Sequence, residues 1–441
     1  MRKIVWFLII GMLMLSPIFA TGTQETAADE QTVKEVRMWT FLNPEGATSG
    51  RNLALKKIIE QFEMENSNVN IVVEPQQWDV MTNKFFVAHQ AGNAPDIQWV
   101  ISYDLGTAIK QGALQDLESL FLDDWTADEV ADIDDSFFRW GKTDGKHYQI
   151  TFSRNYFALI YRKDLLEAAN ISFPLASWDE FVAAAVKLTG KDPDTGLMRY
   201  GLGQAYGLGK VDPPIYTYEA LTTQEDIFNA DGSANWTTDA MVNALTRMSD
   251  MVKKYGITPE EAVNFDIEDV YQDFMAGKYA MITAGSVRIP SIRNGVNFDP
   301  NTVELIHYPG DAESEYGQGL FSGWAVGVWS KSKVKEEAGA FLEYMMSPEA
   351  DKLWVLDGGQ VPIRKSTITT LGDFFDKPEN NYLKVTAEGF AKYCYTTPTA
   401  FPIPGWREDL NSAAQDVMYN NTASLTALEK VQADFNQRVG K

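Results

Sequence analysis

Residues 161–190 read YRKDLLEAANISFPLASWDEFVAAAVKLTG, and this stretch decides the fold class. It begins at the end of a strand, continues through a short helix and a proline-containing turn, and enters a second helix. Ser177 stands three residues before Glu180, which is the capping-box spacing that begins a helix. Apolar residues then recur at helical spacing, at Trp178, Phe181, Ala184, Ala185 and Leu188. The pattern predicts a strand and two helices that cover a sheet, and none of these residues indicates chemistry.

The chain before this stretch alternates strands with helices. Strands are predicted at 33–39, 70–74 and 97–101, and helices at 53–64 and 78–89. Strand, helix, strand, helix, strand at this spacing is typical of a parallel sheet covered by helices. The fold class is therefore predicted to be α/β.

The chain after it continues in the same style. Helices are predicted at 238–255, 334–346, 348–357, 406–419 and 425–439, strands at 323–329 and within 274–283. No internal repeat of 20–50 residues is visible, which argues against a solenoid or a propeller.

The first 22 residues have the composition of an export signal. Arg2 and Lys3 give a positive start, residues 4–19 are largely apolar, and small residues follow at 20–22. The apolar stretch is shorter than the roughly 20 residues that cross a bilayer, although a retained anchor helix is the alternative. Residues 23–32 are polar and predict a flexible leader. No cysteine lies near the cleavage site, so we expect a soluble periplasmic protein without a lipid anchor.

Length and composition exclude several classes of function. A chain of 441 residues exceeds what one core usually supports, so at least two lobes are expected. The net charge of −23 disfavours nucleic acid and anionic membranes as partners.

The sequence also lacks the common metal-binding and nucleophile motifs. Cys394 is the single cysteine, and His89, His147 and His307 lack paired metal-ligand spacing. No G-x-S-x-G motif occurs. We therefore expect no metal, no cofactor and no enzymatic activity.

Seven short blocks in order carry a resemblance to a known family. They are AGNAPDI at 91–97, GKHY at 145–148 with YRKDLL at 161–166, WDEF at 178–181, FMAGKYAM at 274–281, GWAVGVW at 323–329, FLEYMMS at 341–347 and GQVPIRKS at 359–366. Each block alone is weak, but their shared order is specific. The chain resembles the extracellular solute-binding proteins of ABC-type sugar importers, the family that includes maltose-binding protein.

This resemblance implies a type II periplasmic-binding-protein fold, with two α/β lobes and the ligand between them. It places the crossing segments near 149–155 and 319–327. Lobe one would comprise 33–150 and 325–370, and lobe two 151–322 and 371–441. It further implies a monomer that captures a saccharide by hinge closure, without turnover, and delivers it to a membrane permease.

A saccharide site needs aromatic rings for the sugar faces and polar side chains for the hydroxyls, at the carboxyl ends of strands. The candidates after the first three strands are Trp39 and Asn43, Gln77 and Trp78, and Tyr103 and Asp104. Trp39 and Trp78 could instead be core residues. Asp104 could instead cap the helix predicted at 105–111.

The resemblance adds candidates at the crossings and in lobe two: Arg154 and Asn155 at the first crossing, Trp324 at the second, Tyr216 beside Tyr218 in an aromatic run, and Trp406 after a proline-rich loop. Arg154 could instead pair with a neighbouring acid. The maltose-type pattern has an aromatic residue after Gly285, whereas this chain has Ser286, which disfavours maltose itself.

Two other functions stay open at this point. A secreted glycoside hydrolase would need two carboxylates about 5–10 Å apart, but Asp123-Asp124 and Asp134-Asp135 look like solvated acids. The same fold could bind a glycerol phosphodiester or a polyamine. A phosphate would call for a basic residue near a helix N-terminus, with Arg154, Arg288 and Arg364 as candidates. A saccharide is favoured over both.

Overall fold

The structure is a computed structural model that describes residues 33–138, 141–172, 175, 177–193, 195–207, 226–310, 316–395 and 398–441. The predicted signal (1–22), the leader (23–32) and the candidates Tyr216 and Tyr218 lie outside these residues, as does the side chain of Tyr103.

The strands of the described residues are β1 (Lys34–Thr40), β2 (Val69–Pro75), β3 (Ile97–Ile101), β4 (Lys142–Thr143), β5 (Lys146–His147), β6 (Ile150–Arg162), β7 (Gly190–Lys191), β8 (Met198–Gly203), β9 (Tyr279–Gly285), β10 (Val303–Ile306), β11 (Gly319–Val328) and β12 (Cys394–Tyr395). Ten of them form one sheet in the order β2-β1-β3-β11-β6-β9-β8-β7, with β10 beside β6 and β12 beside β11. β4 and β5 pair separately.

The α-helices of the described residues span Gly50–Glu65, Met81–Ala91, Leu105–Lys110, Ala127–Asp132, Asp135–Phe138, Lys163–Ala168, Trp178–Leu188, Asp239–Lys253, Ile267–Met275, Ile289–Gly295, Lys335–Met345, Pro348–Leu356, Lys365–Thr370, Gly372–Phe375, Asn381–Lys392, Trp406–Asn420 and Ser424–Arg438. Within these residues, no helix combines the length and the apolar character needed to cross a membrane.

The predicted secondary structure is confirmed to within a few residues. The third predicted strand coincides with β3, and the second helix of the opening stretch begins at Trp178 with both capping-box bonds between Ser177 and Glu180. β1 runs parallel to β2 and to β3, as the strand–helix alternation predicts. The α/β class is confirmed.

Two long central strands connect the two halves of the sheet. β6 has 13 residues and β11 has 10, and they pair antiparallel. β3 pairs with one end of β11, whereas β9 pairs with the far end of β6. The strands beside β3 and those beside β9 therefore lie at opposite ends of the same pair of crossing strands.

Within the described ranges, buried apolar residues form two clusters. One contains Val36, Trp99 and Leu342 beside β1, β3 and β11. The other contains Phe181 and Met248 and lies beneath the helices Trp178–Leu188 and Asp239–Lys253. The last two helices pack on the second cluster, whereas Asn381–Lys392 contributes to the first. The exact lobe boundaries stay predictions.

Candidate ligand cleft

The carboxyl ends of the strands from the two halves face each other along β6. Ile101, which ends β3, pairs with Trp324 of β11, and Trp324 pairs with Ser153 of β6. Gly285, which ends β9, pairs with Phe157 of β6. Four residues separate these positions on β6, or roughly 13 Å at the rise of an extended chain. The gap between the two edges is where an open α/β sheet binds its ligand.

The edge that belongs to β1 and β3 is aromatic. Phe41 follows β1 directly and is half-buried. Its ring lies 5.2 Å from Trp324 and 5.7 Å from Trp99, both buried. The guanidinium of Arg51 lies 5.1 Å from the centre of the same ring. The sequence analysis did not select Phe41, although its position directly after a predicted strand is the signal that would have identified it.

Trp39 lies in the interior beside β2. Its indole Nε1 donates a hydrogen bond to Glu74 Oε2 at 2.7 Å, and the amino group of Lys84 lies 4.4 Å from the ring centre. Arg37 Nε donates to the other oxygen of Glu74 at 2.8 Å. Hydrogen bonds from Arg37 and then Trp39 hold the pKa of Glu74 below its usual range. Trp39 is 6% exposed, so in this conformation it contributes core packing.

The other candidates of this edge lie nearer the solvent. Asn43 and Gln77 are exposed, and Trp78 is 45% exposed. Asp104 is half-buried at the start of the helix Leu105–Lys110. It occupies the N-cap position of that helix, as the capping alternative predicts, but its side chain makes no capping bond there. These side chains follow β1, β2 and β3 at one edge of the gap.

The edge that belongs to β9 is polar. Asn155 is half-buried, and its Oδ1 accepts a hydrogen bond from the Val287 backbone N–H at 3.3 Å. Ser286 Oγ accepts from the Tyr156 N–H at 3.2 Å. A Cβ at Gly285 would lie 2.2 Å from Asn155 Oδ1, so the glycine allows the amide to approach β9. These bonds join the middle of β6 to the end of β9.

Arg288 completes the polar edge. It forms an ion pair with Glu268, and its guanidinium lies 5.0 Å from the ring centre of Tyr271. Glu268 and Tyr271 both belong to the helix Ile267–Met275. Burial raises the pKa of Tyr271 to about 12, so this ring stays neutral beneath the guanidinium. The helix Ile267–Met275 thus holds Arg288 by both an ion pair and a ring contact.

Arg154 lies beneath the gap and pairs with an acid. It is fully buried, and its Nη2 lies 3.7 Å from Asp351 Oδ1. The two oxygens of Asp351 accept the backbone N–H groups of Ile363 at 3.0 Å and Arg364 at 3.1 Å. Burial lowers the pKa of Arg154 to about 10, and Asp351 opposes that shift. In this structure Arg154 therefore forms an ion pair with a neighbouring acid, as its alternative interpretation predicts.

The remaining tryptophan candidates are also interior. Trp324 is 7% exposed and supports Phe41 from below. Trp406 is 1% exposed and packs edge-on against Phe228 at 5.4 Å in the second cluster. The structure therefore brings Asn43, Gln77, Trp78, Asp104 and Asn155 to the two edges, and places Trp39, Arg154, Trp324 and Trp406 below the surface.

The three histidines have separate structural contacts. The pairs are His89 with Trp329 at 3.1 Å, His147 with Glu118 at 2.7 Å, and His307 with Tyr156 at 2.9 Å. Among the described residues, no three side chains of His, Cys, Asp or Glu are grouped closely enough to hold a metal ion.

Comparison with known proteins agrees with this architecture. A family model described as bacterial extracellular solute-binding protein matches residues 57–381. A protein of Brucella abortus, named as a binding protein, is 25% identical over 82% of this chain and 84% of its own length.

Solved structures show the same fold. The ABC substrate-binding protein Lmo0181 of Listeria monocytogenes, in complex with cycloalternan, has a TM-score of 0.76 at 23% identity and covers 92% of this chain and 99% of its own. The maltose/maltodextrin-binding domain of Bdellovibrio bacteriovorus, bound to maltotriose, has a TM-score of 0.72 at 19% identity, covering 92% and 100%. The predicted two-lobe fold is confirmed.

Proposed function

The chain belongs to the bacterial extracellular solute-binding protein family, and we propose that it captures a saccharide in the cleft and delivers it to the permease of an ABC importer. It acts as a monomer in the periplasm, without a lipid anchor and without turnover. The candidates Trp78, Asp104 and Asn155 contact the saccharide, together with Phe41.

One observation carries this proposal: an aromatic edge faces a polar edge across the gap. A sugar has apolar ring faces and an array of hydroxyl groups, so it needs both surfaces at once. Phe41 offers a half-buried ring supported by Trp324, and Asn155 offers an amide across the gap. The solved relatives in complex with cycloalternan and maltotriose support a saccharide as the ligand class.

The construction of the crossing strands supports hinge closure as the mechanism. The Arg154–Asp351 pair, and the Arg154 N–H that donates to Gln360 Oε1 at 3.3 Å, hold the first part of β6 against the lobe that contains β1. The pairing of β11 with β6 shifts register between Trp324 and Ala325. We expect bending on the β9 side of Arg154, where a ligand that contacts both edges would favour the closed state.

The test is calorimetric titration with maltotriose, cycloalternan, tagatose and ribitol, paired with native mass measurement of protein purified from its source. We expect saturable one-site binding of at least one saccharide, or a retained saccharide mass, with no release of product. Absence of heat for every saccharide, together with a mass that equals the bare chain, would contradict the proposal. Hydrolysis of aryl-glycosides would instead favour the glycosidase alternative.

A further inference from the structure

A short proline-rich segment reaches from one edge of the gap to the other. We call residues 398–404 the strap, and they lie between β12 and the helix Trp406–Asn420. Tyr395 of β12 pairs with Leu320 of β11, and Leu320 also pairs with Phe157 of β6. Phe157 marks the β9 edge, so the chain leaves the sheet for the strap at that edge.

On the opposite side, the strap lies against the start of the helix Leu105–Lys110, which follows β3. Gly106 is buried there, two residues after the candidate Asp104. A Cβ on Gly106 would lie 2.6 Å from the carbonyl oxygen of Phe401 and 3.0 Å from that of Thr399. Two strap carbonyls therefore pass where any side chain would stand, and the strap covers the helix beside Asp104.

Hydroxyl groups join the strap to the hairpin of β4 and β5. Thr143 Oγ1 donates a hydrogen bond to Thr399 Oγ1 at 3.3 Å, and Thr399 Oγ1 donates in turn to the Lys142 carbonyl at 3.4 Å. Both distances are long for hydrogen bonds between oxygens, so each bond is weak. Every group in this contact belongs to the protein, so the contact does not require a ligand.

The second cluster holds the strap more firmly. Phe401 packs edge-on against Phe228 at 6.1 Å, and its ring lies over Gly232, where a Cβ would be 3.1 Å away. Ile403 is buried in the same cluster. Ring packing thus fixes the strap to the lobe that contains β9, whereas carbonyl contacts and two long hydrogen bonds join it to the lobe that contains β1. When the lobes separate, the contact with Gly106 is therefore the one that breaks.

Prolines make the strap stiff. Pro398 and Pro402 flank residues 399–401, and Pro404 follows. Each proline ring fixes its own φ and restricts the residue before it. A segment with few conformations loses little entropy when it docks, so weak contacts suffice to hold it in place.

We propose that the strap is a latch, which docks on Gly106 and Thr143 and holds the two lobes closed by protein contacts alone. Its effect on saccharide binding rests on the proposed function, and it goes beyond that function by naming residues that set the closed fraction of the chain. Apparent affinity scales with the fraction of the chain that is competent to bind. A weaker latch therefore lowers affinity and speeds release without any change in the residues that contact the saccharide.

The test combines small-angle X-ray scattering of the unliganded chain with titration and stopped-flow dissociation of maltotriose and cycloalternan. In Gly106→Ala the methyl group displaces the strap carbonyls, so we expect a larger radius of gyration, about 3- to 10-fold weaker binding and faster dissociation. Thr399→Val removes both hydroxyl bonds, keeps the shape of the side chain, and should change the same quantities in the same direction by less. Gly372→Ala is the matched control, because a Cβ there meets no atom within 4 Å.

An unchanged radius of gyration in both variants would overturn the latch, even with a loss of stability in urea unfolding, because a merely structural contact changes stability alone. An equal change in Gly372→Ala would overturn it as well. If Gly106→Ala fails to fold, Thr399→Val decides. If neither saccharide binds the unmodified chain, that result counts against the proposed function, whereas the scattering of the unliganded proteins still decides the latch.

Discussion

The two edges of the cleft are built differently. On the β1 edge, the ring of Phe41 rests on the buried rings of Trp99 and Trp324, so its position is set by core packing. On the β9 edge, the amide oxygen of Asn155 accepts a hydrogen bond from the Val287 N–H. Packing fixes a surface and hydrogen bonds fix directions. We therefore expect the first edge to set affinity for sugars in general and the second to discriminate among them.

The buried ion pair that anchors the strand between the edges should show the largest effect of a single substitution. Asp351→Asn removes the acid that faces the buried Arg154, so an uncompensated charge stays in the interior. Breaking a buried pair in this way costs about 3–5 kcal/mol. Urea unfolding measures the loss. Asp376→Asn is the control, because Asp376 pairs with Lys384 at the surface and should change stability by less than about 1 kcal/mol. Equal effects of the two variants would contradict the expectation.

The aromatic edge should show the next largest effect, on affinity. Phe41→Ala removes the supported ring, and we expect roughly 10- to 100-fold weaker binding of every saccharide that binds the unmodified chain. Phe41→Leu separates ring stacking from packing volume, since it keeps most of the volume without the ring. Tyr419→Ala, at an exposed tyrosine of the helix Trp406–Asn420, should leave affinity unchanged. A uniform affinity across all four proteins in titration calorimetry would exclude Phe41 as a platform.

The polar edge should show a smaller and selective effect. Asn155→Ala removes the acceptor of the Val287 N–H and a potential contact to a hydroxyl group, which costs about 1 kcal/mol or up to about tenfold in affinity. The loss should differ between sugars that differ at one hydroxyl, such as glucose and galactose. Asn155→Asp keeps an acceptor for Val287 and serves as the control. The same loss for both sugars would place Asn155 outside the contact set.

The smallest effect concerns acid stability beneath the aromatic edge. Because the folded state lowers the pKa of Glu74, ionised Glu74 stabilises the fold above its ordinary pKa, and this contribution is lost as the pH falls through the lowered value. The Glu74 side chain is 35% exposed, so solvent screening keeps the contribution below about 1 kcal/mol. Between pH 5 and 3, Glu74→Gln should lose less stability than the unmodified chain in urea unfolding. A parallel decline of both proteins would contradict this assignment.

Local patterns predicted most of the secondary structure, because the interactions that begin and end helices and strands act over a few residues. The capping box of Ser177 and Glu180 and the apolar run of Ile97–Ile101 are both read from adjacent positions. The cleft candidates were harder. Trp39 and Phe41 are two residues apart. The sequence favoured Trp39 as the stacking ring because indole is larger, but Trp39 is buried and Phe41 is the ring at the edge.

Residues distant in the sequence determine which of these two rings is buried. The register of β1 with β2 places Trp39 opposite Glu74, which takes its indole N–H, and the buried ring of Trp324 supports Phe41. Arg154 likewise forms its ion pair with Asp351, almost two hundred positions later in the chain.

By itself, then, the sequence determined the α/β class, the order of helices and strands, and, through its ordered blocks, the family. Only the tertiary structure decided which side chains border the cleft and which lie in the interior. The physical reason is that caps and periodicity depend on near neighbours, whereas burial and charge pairing depend on strand register across the sheet.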